Sequence, residues 1–264
     1  MIYEEIILKK TQAKMTCYRM DQSDELKISQ RPAIVICPGG GYAMRSAREA
    51  EPVAIKLLSL GFQVFILQYS VAPAVFPTAL RELAESVQTI RQFQQAWQIM
   101  PDKILVAGFS AGGHLAASLG VYWHEAVLSD FLSGEPEAWQ PNGLVLSYPV
   151  ITAGKFTHEG SLQNITPTNA ARVSLEEKVS EQTPPTFLWH TAADQAVPVE
   201  NSLLFATALS RHQVPFELHV FPRGKHGLSL ATRETEGHSG KTIEPAAAQW
   251  IDLFAVWFAE QFVY

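Results

Sequence analysis

A serine lies between two glycines at the point where an apolar run of the sequence gives way to a run of small residues. The apolar run is Ile104–Ala107, the motif G-F-S-A-G covers residues 108–112, and the small-residue run is Leu115–Leu119. This arrangement predicts a strand, a sharp turn that carries the serine, and a helix. Glycine has no Cβ, so neighbouring backbone can pass close to the turn. Ser110 is therefore the candidate nucleophile.

The composition limits the class of protein. The chain has 264 residues, of which 47 % are hydrophobic and 17 % are charged, as in a globular protein with a sizeable core. Its formal net charge of −6 is spread along the chain and provides no basic patch for nucleic acid or for an anionic membrane. The cysteines, Cys17 and Cys37, form neither a disulfide framework nor a metal motif. We expect no metal and no cofactor.

The sequence also gives an expectation for location and partners. The beginning, MIYEEIILKK, lacks the cationic start of a secretory signal peptide. All apolar runs are much shorter than the roughly 20 residues that a membrane helix needs. We therefore expect a cytoplasmic protein with a small-molecule substrate and with no nucleic-acid or membrane partner. The sequence leaves open whether copies of the chain form a homo-oligomer, paired through a sheet edge or through the C-terminal helix.

Strand patterns and helix patterns alternate from residue 33 to the end, after two short strands. This alternation predicts an α/β protein with a mainly parallel sheet and with helices on both faces. The predicted strands are Tyr3–Leu8, Lys14–Arg19, Ala33–Cys37, Gln63–Tyr69, Lys103–Gly108, Gly143–Pro149, Thr186–Thr191 and Phe216–Phe221. The predicted helices are about Ala47–Leu60, Leu80–Ile99, a segment from the serine turn to Trp123, Val199–Arg211 and Ile243–Phe262.

The polar segment Ile151–Thr183 interrupts this alternation. It is too long for a plain connection, so we interpret it as a lid or as an insertion with a short helix of its own. The sequence contains no internal repeat and no convincing linker. A single domain over residues 1–264 is therefore the prediction.

Two later residues fit the chemistry that Ser110 requires. A serine hydroxyl needs an adjacent base, and that base needs a third group to orient it. In open α/β sheets such groups lie at the carboxyl ends of strands. Asp194 directly follows the strand Thr186–Thr191, and His226 follows the strand Phe216–Phe221 by a short turn that contains glycine. The alternatives are a helix-capping aspartate and a surface histidine, but the order serine, acid, histidine favours a catalytic triad.

A second glycine-rich segment, P-G-G-G-Y at residues 38–42, follows the predicted strand Ala33–Cys37. Consecutive glycines allow backbone N–H groups to point at a ligand, so this loop and the N–H of Ala111 are candidates for an oxyanion hole. Tyr42 either lines the pocket or packs in the core. We expect His114 to pack beneath the serine turn and His158 to be solvated.

Taken together, these motifs resemble the α/β-hydrolase superfamily over nearly the whole chain. More narrowly, they resemble the small esterases related to the hormone-sensitive-lipase type, including bacterial acetyl esterases that act on acylated sugars. The motifs that carry the resemblance are PGGGY at 38–42, GFSAGGH at 108–114, Asp194 with Val197-Pro198, and His226-Gly227.

The resemblance implies an eight-stranded, mostly parallel sheet and ester hydrolysis without a cofactor. It assigns the triad to Ser110, Asp194 and His226, and the oxyanion hole to Gly40, Gly41 and Ala111. Pro38 departs from the family pattern, because lipase-like members have a histidine there whose side chain supports the loop. The small cap of this chain implies an open site for short acyl groups.

We therefore expect a serine carboxylic-ester hydrolase that acts on short-chain or acetyl esters, with acetylated sugars among the candidates, through an acyl-enzyme. A serine peptidase of the prolyl or acylaminoacyl type uses the same sheet and triad, but it normally carries a large additional domain for which this chain has no room. A non-catalytic binding protein on the same fold is the third alternative.

Overall fold

Eight strands form one sheet in the computed structural model, which describes residues 1–165, 173–238, 240 and 242–264. The strands are β1 (Ile2–Ile7), β2 (Lys14–Arg19), β3 (Arg31–Cys37), β4 (Gln63–Gln68), β5 (Ile99–Phe109), β6 (Gly143–Ser147), β7 (Thr186–Thr191) and β8 (Phe216–Phe221). Their order across the sheet is β1-β2-β4-β3-β5-β6-β7-β8.

The sheet is parallel from β4 to β8, while β1 and β2 form an antiparallel ribbon that pairs with β4. The central strands β6 and β7 are buried along their whole length, as expected for strands that helices cover on both faces. Strand β1 lies at an edge and alternates between half-buried and exposed residues. The predicted mostly parallel sheet is confirmed.

Helices cover both faces of this sheet. They are α1 (Glu51–Ser59), α2 (Thr78–Gln92), α3 (Ala111–Tyr122), α4 (Ala126–Ser129), α5 (Glu159–Ile165), α6 (Glu200–Arg211) and α7 (Trp250–Phe262). Successive side chains of a strand point to opposite faces, so Val35 packs in the core formed with α2, α3 and α6, whereas Ile34 packs in the core formed with α1 and α7.

Three predicted helices are shorter in the structure. The helix predicted over Ala47–Leu60 is a 3₁₀ turn at Ala47–Glu49 followed by α1. The helix predicted over Leu80–Ile99 ends at Gln92, because Ile99 pairs with Arg31 and begins β5. The helix predicted from Ile243 begins at Trp250, since Pro245 lies in the preceding segment and disfavours a regular helix there.

The polar segment at 151–183 contains the short helix α5 and a 3₁₀ turn at Leu175–Glu177. Part of that prediction, residues 166–172, lies outside the described residues. Among the helices that the structure describes, none has the length and apolar composition required to traverse a lipid bilayer.

Candidate active site

Ser110 lies on a strained turn between β5 and α3. Its backbone has φ 54° and ψ −119°, a conformation that is uncommon for a residue with a side chain. A Cβ on Gly108 would lie 2.1 Å from the carbonyl oxygen of Gly112, and a Cβ on Gly112 would lie 2.0 Å from that of Cys37. Both positions therefore require glycine, because β3, β5 and α3 approach one another at the turn.

The structure brings Ser110, His226 and Asp194 into one hydrogen-bonded array. The Ser110 hydroxyl lies 2.7 Å from Nε2 of His226, and Nδ1 of His226 lies 2.6 Å from Oδ2 of Asp194. The carboxylate can only accept, so Nδ1 carries the proton and Nε2 is free to accept the serine proton. The three residues come from the ends of β5, β7 and β8, as the sequence order requires.

The Asp194 carboxylate is held by donors on both of its oxygens. Oδ1 accepts the backbone N–H groups of Ala196 and Val197 at 2.9 and 3.0 Å, and Nε2 of His190 lies 3.4 Å from Oδ2. Burial opposes the charge of this carboxylate, but the hydrogen bonds from His190, His226 and Val197 outweigh it and lower the pKa of Asp194. Asp194 is therefore ionised at neutral pH.

The glycine loop after β3 runs beside Ser110. A Cβ on Gly39 would lie 3.0 Å from Cβ of Ser110, which shows how closely the two segments approach. Gly40 has φ 134° and Gly41 has φ 64°, and a side chain on Gly40 would collide with the carbonyl of Met44 at 2.2 Å. Ala111 is the first residue of α3, so its N–H has no acceptor within the helix.

The Tyr42 side chain packs in the hydrophobic core, which is one of the two alternatives for this residue. Its side chain is only 2 % exposed, its hydroxyl lies 3.0 Å from Nδ1 of His114, and its ring meets Tyr69 edge to face. These contacts favour the packing alternative for this side chain, and its substrate-binding role stays a prediction. Tyr42 links the glycine loop to α3, one turn after Ser110.

His158, which we expected to be solvated, is half-buried beside the glycine loop. Its Nδ1 lies 2.8 Å from the hydroxyl of Ser161, and its Cε1 lies 4.0 Å from the place where a Cβ of Gly41 would be. Burial and the nearby imidazole of His226 lower the pKa of His158. The polar segment therefore brings an uncharged imidazole close to the triad.

Sequence reasoning missed Glu49 and His190, which are both buried next to the triad. His190 lies inside β7, where nothing in the pattern separates it from a packing residue. Glu49 lies in a segment predicted as a helix, which gives no reason to expect a buried carboxylate. Within the described ranges, no group of three or more His, Cys, Asp and Glu residues is suited to hold a metal ion.

The sequence of this chain matches a known family model across part of the residues that build this site. The model describes an α/β-hydrolase fold and matches residues 34–180, which include the glycine loop and the serine turn. The chain belongs to the α/β-hydrolase family. A second model, of the prolyl oligopeptidase family, matches residues 150–262 of this α/β hydrolase, where Asp194 and His226 lie.

Two curated proteins and one solved structure are similar to this α/β hydrolase. An endo-1,4-β-xylanase B of Butyrivibrio fibrisolvens is 37 % identical over 80 % of the chain, and an acetylxylan esterase of Xylanibacter ruminicola is 27 % identical over 76 %. The chain spans only 34 % and 42 % of the lengths of these two relatives. An acetyl ester-xyloside bifunctional hydrolase from Caldicellulosiruptor lactoaceticus superposes with a TM-score of 0.82 at 39 % identity, covering 95 % of this chain and 88 % of that one.

Proposed function

We propose that the protein is a serine carboxylic-ester hydrolase for acetyl and other short-chain esters of small molecules, with acetylated sugars as its substrate class. One observation carries the proposal: the Ser110 hydroxyl, the His226 imidazole and the Asp194 carboxylate are joined by hydrogen bonds of 2.7 and 2.6 Å. A serine bonded to a base that is itself held by a carboxylate is the arrangement that activates a hydroxyl for attack on an acyl carbon.

Acylation starts with the transfer of the Ser110 proton to Nε2 of His226 while the oxygen attacks the ester carbonyl. Asp194 keeps the imidazole in the required tautomer and stabilises the positive charge that the ring gains. His226 then donates the same proton to the alcohol oxygen as the carbon–oxygen bond breaks. The alcohol leaves, and the acyl group remains on Ser110 as an ester.

The tetrahedral oxyanion is stabilised by the backbone N–H groups of Gly40, Gly41 and Ala111. Each donor of this kind contributes roughly 3–4 kcal/mol to the transition state. Deacylation repeats the sequence with water, which loses its proton to His226 and attacks the acyl carbon. Ser110 then leaves with a proton from His226, and the carboxylic acid is released.

The restriction to short acyl groups and sugar esters is supported by the relatives and by the polar segment. One curated relative is named an acetylxylan esterase, and the similar solved structure is described as an acetyl ester-xyloside hydrolase. In this chain Asn164 of α5 and His158, which directly precedes α5, lie against the glycine loop, where polar side chains suit a hydroxyl-rich alcohol group. We expect the sugar to bind between His158 and the triad.

The proposal is tested by the hydrolysis of p-nitrophenyl acetate and of acetylated xylose. Ser110→Ala should lower kcat at least about a thousandfold, because no other group can form the acyl-enzyme. Ser210→Ala, at an exposed position of α6, should hydrolyse both esters like the wild type. A fluorophosphonate should label the wild type but should not label Ser110→Ala.

Equal hydrolysis by Ser110→Ala and the wild type would refute the serine mechanism. An aminoacyl-amide panel addresses the second candidate function, a serine peptidase, which the match of residues 150–262 to the prolyl oligopeptidase family favours. Cleavage of these amides without cleavage of the esters would support the peptidase.

A further inference from the structure

Glu49 is a buried carboxylate that the mechanism above does not use. It ends the 3₁₀ turn Ala47–Glu49, and only 3 % of its surface is exposed. An ionised side chain is rarely buried unless hydrogen bonds compensate for the lost water. Each oxygen of this carboxylate has such a donor, and the two donors belong to different segments of the site.

The first donor belongs to the glycine loop. Oε2 of Glu49 accepts the backbone N–H of Gly39 at 2.8 Å, directly before the loop residues Gly40 and Gly41. A Cβ on Gly39 would lie 2.7 Å from the same oxygen, so the carboxylate fills the space beside the loop. Pro38 has no side-chain donor or acceptor, and Glu49 supplies the side-chain support that this position lacks.

The second donor, the Tyr148 hydroxyl, connects Glu49 to residues 226–229, which we call the histidine segment. The Tyr148 hydroxyl donates to Oε1 of Glu49 at 2.6 Å and accepts the backbone N–H of Ser229 at 2.8 Å. The Tyr148 ring also meets the His226 imidazole edge to face, with the ring centroids 5.1 Å apart. Tyr148 therefore contacts the histidine itself and the chain that follows it.

Burial raises the pKa of Glu49, whereas the hydrogen bonds from Tyr148 and Gly39 and the charges of His226 and Arg48 oppose that shift. Donors on both oxygens favour the ionised carboxylate over the neutral acid. A neutral glutamine would keep one carbonyl oxygen as an acceptor but would turn an N–H₂ group toward the other buried donor, which would lose its acceptor at a cost.

We propose that Glu49 is a positioning residue for ester hydrolysis: its single carboxylate fixes the oxyanion loop through Gly39 and the His226 segment through Tyr148. The inference rests on the proposed function of Ser110, because positioning is defined by the reaction at that residue. Glu49 does not touch the reacting atoms, so we expect its loss to slow the chemistry while substrate binding is retained.

The test compares Glu49→Gln, Tyr148→Phe and Glu85→Gln with the wild type on p-nitrophenyl acetate. Active sites are titrated with a fluorophosphonate, so that kcat is expressed per competent site. Glu49→Gln should lower kcat about ten- to hundredfold and leave KM within about threefold. Tyr148→Phe keeps the ring against His226 and removes only the hydroxyl, so kcat should fall by a smaller factor, again with little change in KM.

Glu85→Gln is the matched control. Glu85 is also buried and also accepts two donors, the backbone N–H groups of Lys10 and Thr11 at 2.7 and 2.8 Å, but these belong to the turn between β1 and β2. This variant should lose stability and keep its kcat.

If either folded variant, Glu49→Gln or Tyr148→Phe, kept the kcat of the wild type, the positioning role would be refuted. The serine mechanism would be unaffected by that result. If Glu49→Gln does not fold, Tyr148→Phe decides alone. A wild type that neither turns over the ester nor reacts with the fluorophosphonate would instead refute the proposed function itself.

Discussion

His114 illustrates how a polar side chain on the helix after Ser110 is accommodated in the core. Its Nε2 lies 3.1 Å from the carbonyl oxygen of Val173, so this nitrogen carries the proton, and Nδ1 accepts the hydroxyl of Tyr42 at 3.0 Å. Protonation of Nδ1 would break the bond from Tyr42. Burial lowers the pKa of His114 from 6.5 to about 4, although the bond to Val173 opposes the shift.

This shift predicts a stability that depends on pH. Between the ordinary pKa of 6.5 and the folded value of about 4, the unfolded chain binds a proton that the folded chain does not. The free energy of unfolding therefore falls as the pH decreases through this range, by up to about 3 kcal/mol. His114→Gln keeps one donor and one acceptor and should lack this loss.

Urea unfolding of both proteins between about pH 7 and pH 4 provides the measurement. The stability advantage of the wild type over His114→Gln should shrink as the pH decreases. A difference that stays constant with pH would contradict a neutral, buried imidazole.

The residues of the site differ in how far the sequence reveals them. Ser110, Asp194 and His226 could be predicted because each follows the end of a strand, directly or after a short turn, and a strand end is visible in a sequence. Glu49 could not be predicted, because its partners Gly39 and Tyr148 are brought to it only by the packing of separate elements. Buried hydrogen-bond partners leave no periodic pattern along the chain.

At the scale of elements, α5 packs directly against the glycine loop. Nδ2 of Asn164 donates to the carbonyl of Gly41 at 2.8 Å, and the backbone N–H of Phe76 donates to the carbonyl of Ile165 at the same distance. The helix is thus tied to the loop that carries the proposed oxyanion donors and to the segment before α2. The sequence predicted a short helix in this region but not the surface against which it packs.

This docking predicts that Asn164→Ala slows the enzyme. The carbonyl of Gly41 loses its donor, and a hydrogen bond of this kind contributes about 0.5–1.5 kcal/mol. We expect kcat/KM for p-nitrophenyl acetate to fall about three- to tenfold. Gln163→Ala changes an exposed neighbour on the same helix and serves as the control. Equal effects of the two substitutions would show that the contact with Gly41 is not the cause.

At the scale of the whole molecule, the site combines the ends of β3, β5, β7 and β8. Strands β3 and β5 are neighbours in the sheet although β4 lies between them in the chain. Alternating patterns were enough to predict a parallel sheet covered by helices. The order β4-β3-β5-β6 could not be derived from those patterns, because buried parallel strands have the same apolar composition and any of them can pair with any other. The glycines at 108 and 112 are the local sign that β3, β5 and α3 are in contact.

The C-terminal helix α7 packs against the chain that follows His226. The indole N–H of Trp250 donates to the carbonyl of Ser229 at 3.0 Å, close to His226 in the chain. Phe254, one turn later, is fully buried and contacts the rings of Phe62 and Phe187. The helix α7 therefore contacts Phe62, directly before β4, and Phe187 of β7 through aromatic packing, and the chain after His226 through the indole hydrogen bond.

Replacement of Phe254 by alanine removes the centre of this packing and leaves the hydrogen bond of Trp250 in place. A buried phenylalanine replaced by alanine costs about 3–5 kcal/mol. The variant should therefore unfold at a much lower urea concentration, while kcat per titrated site changes little at a temperature where it remains folded. Val256→Ala, on the same helix but 58 % exposed, should stay within about 0.5 kcal/mol of the wild type. If Phe254→Ala lowered kcat in its folded state as strongly as Glu49→Gln, the helix would act on the geometry of the triad as well as on stability.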